Sequence, residues 1–252
     1  MKVLISTSKS MNFVQDKADI NLRTTRPRFY QQANEINQHL VTMNLKKIQD
    51  IMKISLDLAE KTKQKIEVFS ENNNYLPSIN YFSGDIYKGL RKITWQEKDY
   101  IYANEHLGII SGLYGYLNPF DEIKAYRLEM GYRLKKKQFT RLDKFWHPLI
   151  SSILESEKLI INLLPLEYSK AILPLKHNPV IISPQFLFKD KNDVIRNIII
   201  NTKTTRGLMA SWIIKNKIKS PDKILDFNLD GYTYNPSITK DPAKPVFLKS
   251  AQ

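Results

Sequence analysis

Apolar residues fall into two arrangements along this chain, short unbroken runs and longer stretches at three- and four-residue spacing, and the two interleave from end to end. The run Val3-Leu-Ile5 predicts a short buried strand, with the polar turn Ser6-Thr-Ser-Lys-Ser10 behind it. From about residue 29 to 65 the pattern is helical, with Ile48, Ile51, Met52 and Leu56 recurring among Lys and Gln. Asn72-Asn-Asn74 reads as a polar loop. Ile79-Asn-Tyr-Phe82 reads as a short strand that enters the turn Ser83-Gly-Asp-Ile-Tyr87. Thr94-Trp-Gln-Glu97 has the form of a capping box for a helix reaching about Glu105. An amphipathic helix is predicted over 142–157, where Pro148 implies a kink or a late start.

Further strands are predicted at 159–162, 180–182 and 194–200, the last two separated by the turn-like Lys189-Asp-Lys-Asn-Asp193. Thr204 or Thr205 is placed to cap a helix over 206–217 that buries Leu208, Met209, Trp212 and Ile213. Ser220-Pro-Asp222 opens a turn or short helix, and 227–234 and 246–249 read as closing strands. No linker, low-complexity tract or repeat interrupts the series. The expectation is one mixed α/β (α+β) domain over residues 1–252.

Composition changes this picture in one respect, the charge. The formal net charge is +14, from 39 Lys and Arg against 25 Asp and Glu. Such a field favours nucleic acid, an anionic membrane surface or a phosphorylated ligand. A solvated surface accounts for it equally, because Lys, Ile and Asn are all abundant, as a low-GC coding bias would make them. The absence of cysteine excludes disulfides, thiolate metal sites and a cysteine nucleophile. The three-residue apolar run near Met1 is too short for a signal peptide, and no run approaches the roughly 18 apolar residues of a membrane span. A cytoplasmic protein with no membrane association is expected.

Candidate chemistry is sparse. The four histidines, at 39, 106, 147 and 177, have no metal-ligand spacing, and neither a metal nor a cofactor is expected. No GxGxxG, GxxxxGK[ST] or GxSxG pattern occurs. In the Ser83–Tyr87 turn, Gly84 permits the bend, Asp85 is placed to cap the next helix and Tyr87 projects from its first turn. Arg127 and Glu129, two apart, would share a face of an extended segment, as a surface ion pair or as a clamp on a carboxylate or phosphate. Lys203 and Arg206 stand near the expected start of a helix, where amides and basic side chains bind anions. Lys135-Lys-Lys137 is a solvated loop that adds to the field. Most informative is Ser111-Gly-Leu-Tyr-Gly-Tyr-Leu-Asn-Pro-Phe-Asp121 with Tyr126-Arg-Leu-Glu-Met-Gly131, which gathers Gly112, Gly115 and Gly131 in a chain of only 8 glycines. A glycine concentration of that kind marks a shaped segment that packs or binds closely.

Taken with Phe82-Ser-Gly-Asp-Ile-Tyr-Lys-Gly-Leu90, Phe145-Trp146, Asn162-Leu, Glu167-Tyr168, Arg206-Gly-Leu-Met209 and Phe227-Asn-Leu-Asp-Gly-Tyr232, these blocks resemble the YaaA family of peroxide stress proteins over almost the whole chain. The resemblance implies a cytoplasmic protein that limits iron-dependent oxidative damage and binds double-stranded DNA. It also implies a family-specific fold with a basic cleft and a helix-hairpin-helix-like element, for which Gly112 and Gly115 are candidates. The shared polar set comprises Lys9, Arg127, Lys203 and Arg206 as DNA- or anion-binding residues, with Asp85, Tyr87, Glu129, Asn162, Glu167 and Tyr168 in support. The chain departs from the family at Thr7 and Pro165, and at Gly108, Asn118 and Ser211, where relatives often carry arginine; weaker DNA binding follows if those arginines contact phosphates. A non-enzymatic DNA-binding protein is the leading expectation. The alternative is an enzyme acting on a small anionic or nucleotide-like substrate in a pocket lined by Lys9, Asp85, Arg127, Glu129 and Glu167. Direct iron storage lacks the clustered ligands it needs.

Overall fold

The computed structural model describes residues 1–11, 23–71, 75–134, 136–177 and 179–251. The first apolar run becomes β1 (Lys2–Ser6), whose Val3, Leu4 and Ile5 are fully buried. The long amphipathic stretch divides into α1 (Tyr30–Val41), α2 (Leu45–Met52) and α3 (Leu56–Glu67). Asn44 and Ser55 set two of the breaks. Each is extended and accepts a hydrogen bond from the backbone N–H three residues on, capping the helix that follows. The loop expected at 72–74 lies outside the described residues.

After β2 (Leu76–Pro77) the strand expected at 79–82 is instead a helical turn, α4 (Ser78–Tyr81). Ser78 Oγ hydrogen-bonds the carbonyls of Asn118 and Pro119 at 2.8 and 3.1 Å, an anchor that overrides the local β preference. In α5 (Asp85–Leu90), Asp85 is the first helical residue rather than the cap. The capping box of α6 (Glu97–His106) exists but is made by Gln96 and Asp99, because Thr94 ends a preceding 3₁₀ turn. There follow β3 (Leu107–Ser111), β4 (Gly115–Leu117), β5 (Glu122–Ile123), α7 (Leu142–Leu154), β6 (Leu159–Asn162), α8 (Leu166–Ser169) and β7 (Val180–Ile182). Pro148 is inside α7.

The C-terminal third differs most from expectation. A strand not anticipated, β8 (Gln185–Lys189), precedes the two-residue β9 (Ile195–Arg196), and α9 (Ile199–Asn216) begins within the run expected to be strand. Thr202 Oγ1 donates to Asn197 Oδ1 at 3.0 Å across the helix start, while Ile199 and Ile200 are 69% and 66% exposed. The β-branched run is therefore a solvated first turn. Thr204 and Thr205 lie mid-helix, their hydroxyls bonded to the carbonyls of Ile200 and Asn201. β10 (Thr233–Tyr234) and β11 (Val246–Ser250) complete the chain.

The main sheet has the order β4-β3-β1-β6-β7, with β3, β1, β6 and β7 parallel and β4 antiparallel. A second sheet runs β10-β11-β8-β9, and β2 pairs with β5. Helix α9 packs on both β1 and β8, so it joins the two larger sheets. It also crosses α5 at a backbone-to-backbone contact. A Cβ on Gly207 would stand 1.9 Å from the Ile86 carbonyl oxygen, and one on Gly89 2.0 Å from that of Thr204. Only glycine permits that approach.

Gly112 lies in the turn of the β3–β4 hairpin and Gly115 is the first residue of β4, so they are not the turn of a helix-hairpin-helix. They serve packing. A Cβ on Gly112 would meet the Leu128 carbonyl at 2.4 Å, and Gly115, with φ +69°, lies against the Trp146 ring. Trp146 Nε1 donates to the Gly112 carbonyl at 2.9 Å.

Candidate functional site

Strand β1 sits between β3 and β6, both of which come later in the chain. The parallel order reverses there, and in open parallel sheets such a switch opens a crevice beyond the carboxyl ends of the strands. A cleft of about 280 Å³ occupies that place. The residues after β1, from Ser6 to Ser10, line one side, and Pro165, Glu167 and Tyr168, beyond β6, line another. Across from them are Ser83 to Ile86 and Lys88 around α5, with Lys203 and Arg206 from α9 and Glu129 from the extended segment behind the hairpin. The Gly89–Gly207 crossing sets the α5 wall against the α9 wall.

Buried tyrosines support the cleft: Tyr168 lines it, and Tyr87 and Tyr126 lie behind the lining. Tyr168 Oη is 3.3 Å from Thr7 Oγ1, Tyr87 Oη donates to the Ser6 carbonyl at 3.3 Å, and Tyr126 Oη is 2.7 Å from Ser111 Oγ. Burial pushes all three phenols upward, so they remain neutral hydroxyls.

Charge on the walls is unevenly matched. Lys9 Nζ is 3.9 Å from Glu129 Oε2, and Lys88 Nζ is 3.6 Å from Asp85 Oδ1. Among the described residues no carboxylate comes within ion-pair distance of Lys203 or Arg206. The Arg206 guanidinium is half-buried, and desolvation alone pulls its pKa down. An arginine stays charged regardless, so its desolvation is met by no carboxylate among the described residues. Glu129, with a side chain 13% exposed, is pushed above the usual carboxylate range by burial. Lys9 opposes that shift, Glu167 adds to it, and Arg127 and Lys203 oppose it more weakly. Glu167 is seated against Gly131, where a Cβ would lie 3.0 Å from its Oε2.

Lys9, Asp85, Glu129, Glu167, Tyr168, Lys203 and Arg206 thus meet in one cleft. Lys203 and Arg206 reach it as side chains from the body of α9, not from a helix N-terminus, because α9 begins at Ile199. Tyr87 lies beneath the cleft. Asn162 serves the turn after β6, bonding Ser169, Ser183 and the Leu164 amide. Arg127 does not line the cleft; it stands beside Lys65, whose pKa is lowered by burial and then by that neighbouring charge. Its Nε is buried without a partner among the described residues. Lys135 lies outside the described residues, and Lys136 covers the Phe139 ring at 5.3 Å, away from the cleft. Sequence reasoning missed the lining residues Ser8, Ser10, Ser83 and Lys88. Ser8 was detectable in principle, being in the polar run that directly follows the first strand.

The family described as peroxide stress protein YaaA matches residues 1–238. This chain belongs to that family. It is 36% identical over 259 residues to a UPF0246 protein of Clostridium beijerinckii, covering 99% of this chain and 98% of that one. It is 32% identical to a UPF0246 protein of Legionella pneumophila, lpl1317, over 95% and 96% of the two chains. A UPF0246 protein of Salinispora tropica is 34% identical over 98% and 94%.

Several of the blocks that carry the YaaA resemblance build the cleft: 82–90 supplies α5 and its glycine, 126–131 supplies Glu129 and Gly131, and 206–209 supplies Arg206 and Gly207. Three of the positions at which a departure from the family was expected lie away from it. Gly108 is buried against Leu4 and Tyr116, Ser211 Oγ accepts from Trp95 Nε1 at 2.7 Å, and the Asn118 amide donates to Asp121. None of the three is among the residues that line the cleft. Thr7 and Pro165 do line it.

The raised Glu129 predicts a pH effect on stability. A carboxylate whose folded pKa exceeds its unfolded value costs nothing below about pH 4.5, where both states are protonated. The cost is complete above the folded value. Glu129→Gln should therefore raise the melting temperature at pH 7–8, and the gain should vanish as pH falls through 4.5. A gain that stays constant with pH in scanning calorimetry would contradict the burial of this charge.

Proposed function

We propose that this chain acts in the cytoplasm during peroxide stress by binding the phosphate backbone of DNA, limiting iron-dependent damage there. The observation that carries the proposal is the half-buried Arg206, without a carboxylate partner among the described residues, with Lys203 near it in the cleft, within a chain of net charge +14. An anion would offset the desolvation of that guanidinium.

A second hollow adjoins the cleft, sharing Lys9, Glu129 and Glu167 with it and adding Asp50, Lys53 and Arg133. It continues toward the α2–α3 connection with three cations and three carboxylates in its lining. That connection spans only Lys53, Ile54 and Ser55, with Lys53 in the left-handed conformation at φ 53° and Lys46 and Lys47 exposed on α2. We assign this short-linked pair as the helix-hairpin-helix-like element.

The test is a duplex titration at several salt concentrations. Each phosphate contact removed should flatten the log–log salt slope by about 0.9. Arg206→Gln and Lys203→Ala should each do so and weaken binding. Unchanged affinity and slope in both would remove the cleft from the interface.

One observation favours the enzymatic reading: Asp85, Glu129 and Glu167 line the cleft rather than lying behind it. A phosphate-binding surface alone needs no such acids. On this reading Glu129 and Glu167 exchange protons with a small anionic substrate held by the cations. Direct iron binding has no comparable support, since no group of three metal-ligating side chains occurs among the described residues.

A further inference from the structure

The cleft holds four cations, and their partners divide them into two pairs. Lys9 and Lys88 already face Glu129 and Asp85, at 3.9 and 3.6 Å. Lys203 and Arg206, three residues apart on α9, share a helix face and have no carboxylate within ion-pair distance among the described residues. Lys203 and Arg206 are thus the lining cations left to meet a ligand beside α9, and Glu167 on the far wall brings the lining as a whole to one net positive charge. A phosphodiester inside a strand carries one negative charge, whereas a terminal phosphate carries about −1.5 to −2 at pH 7 and offers three acceptor oxygens. Hydroxyls of Ser8, Ser10 and Ser83 line the same space.

The acids limit what else enters. Glu167, with no cation within ion-pair distance among the described residues, repels further negative charge, so a polyanion running through the cleft meets an unpaired carboxylate in its path. A single phosphate beside α9 does not. The volume of about 280 Å³ lies at the small end of ligand sites, which run to roughly 300–1,000 Å³.

We propose that the cleft takes a terminal phosphomonoester between Arg206 and Lys203, carried by the end of a DNA strand or by a free nucleotide, in preference to the phosphodiester of a strand interior. This rests on the reading of the cleft as an anion site and narrows it to a ligand class.

The experiment uses the full chain and short single-stranded oligonucleotides, followed by fluorescence anisotropy at 0.15 M salt. One oligonucleotide carries a 5′-phosphate and a 3′ label, another a 3′-phosphate and a 5′ label. Each is compared with its hydroxyl-ended form, and deoxynucleoside 5′-monophosphate is compared with the deoxynucleoside as competitor. We expect a phosphorylated end to bind about tenfold tighter, as one to two charge-assisted hydrogen bonds would give. The gain should be lost in Lys203→Ala, an exposed position whose change leaves the fold intact, and in Arg206→Gln. It should persist in Lys46→Ala, outside the cleft.

Competition by the nucleotide with no gain at either end would support the proposal with a free nucleotide as ligand, and would argue against the DNA reading of the cleft. Equal binding of phosphorylated and hydroxyl ends, with no preference for the nucleotide, would overturn the proposal while leaving DNA binding standing. Failure of every ligand to bind would overturn both.

Discussion

Gly207→Ala should destabilise the protein by at least about 3 kcal/mol, the upper range for forcing added atoms into a packed interior. The sign is what makes this result informative. In an exposed helix the same change stabilises by up to about 1 kcal/mol, because alanine is the better helix former. Here the added methyl carbon would stand 1.9 Å from the Ile86 carbonyl oxygen and 2.9 Å from Gly89 Cα. Both obstacles are backbone, so no rotamer change relieves them. Separation of α5 from α9 is the only relief, and it would move Asp85 and Lys88 away from Lys203 and Arg206. The variant should therefore also lose the ligand preference of the cleft. Urea denaturation followed by far-UV circular dichroism measures the first effect. A midpoint at or above that of the unchanged protein would mean that the two helices do not touch as described.

Trp146→Ala should cost about 3–5 kcal/mol for the lost aromatic packing. About 1–3 kcal/mol more is expected if the Gly112 carbonyl is left without its donor. Trp146 is fully buried, 4.9 Å from the Phe145 ring and 5.9 Å from that of Phe29 by centroid. Its ring also fills the space opposite Gly115, and its Nε1 holds the Gly112 carbonyl at 2.9 Å. Gly112 in turn packs on the backbone of Leu128 and Glu129. Loss of the indole thus loosens the support of a cleft residue from behind. Trp146→Phe keeps much of the packing and loses the donor, so it should fall between the two in a denaturant titration. If the alanine variant lost less than about 1 kcal/mol, the hairpin would not depend on this ring.

The central strands were legible because β1 and β6 are apolar runs buried on both faces, the form a parallel strand takes. The three N-terminal helices were legible as periodicity, though their breaks rest on Asn44 and Ser55, whose capping role shows only once the chain bends there. Residues 194–200 misled for a physical reason. Branched side chains usually signal burial in a sheet, yet Ile199 and Ile200 sit exposed on the first turn of α9. That displacement also moved Lys203 and Arg206 off the helix N-terminus, so their meeting in the cleft came by a different route from the one expected. Arg127 and Glu129 alternate with buried Tyr126, Leu128 and Met130 as an extended segment should, but only Glu129 reaches the cleft. What the sequence could not supply was strand order. Ser8, Ser10 and Ser83 look like ordinary turn residues until β1 is known to be the strand at which the order reverses.

The central position of β1 also bears on how the chain is made. β1 leaves the ribosome before both of its hydrogen-bonding neighbours, β3 and β6. At about 5–20 residues per second of synthesis, β6 follows β1 by roughly 8–30 s. During that interval Val3, Leu4 and Ile5 form an apolar strand with at least one edge open. The nascent protein is therefore expected to be most exposed to mispairing before the chain passes residue 162, and a chaperone acting on it would find a target in the Val3-Leu-Ile5 segment.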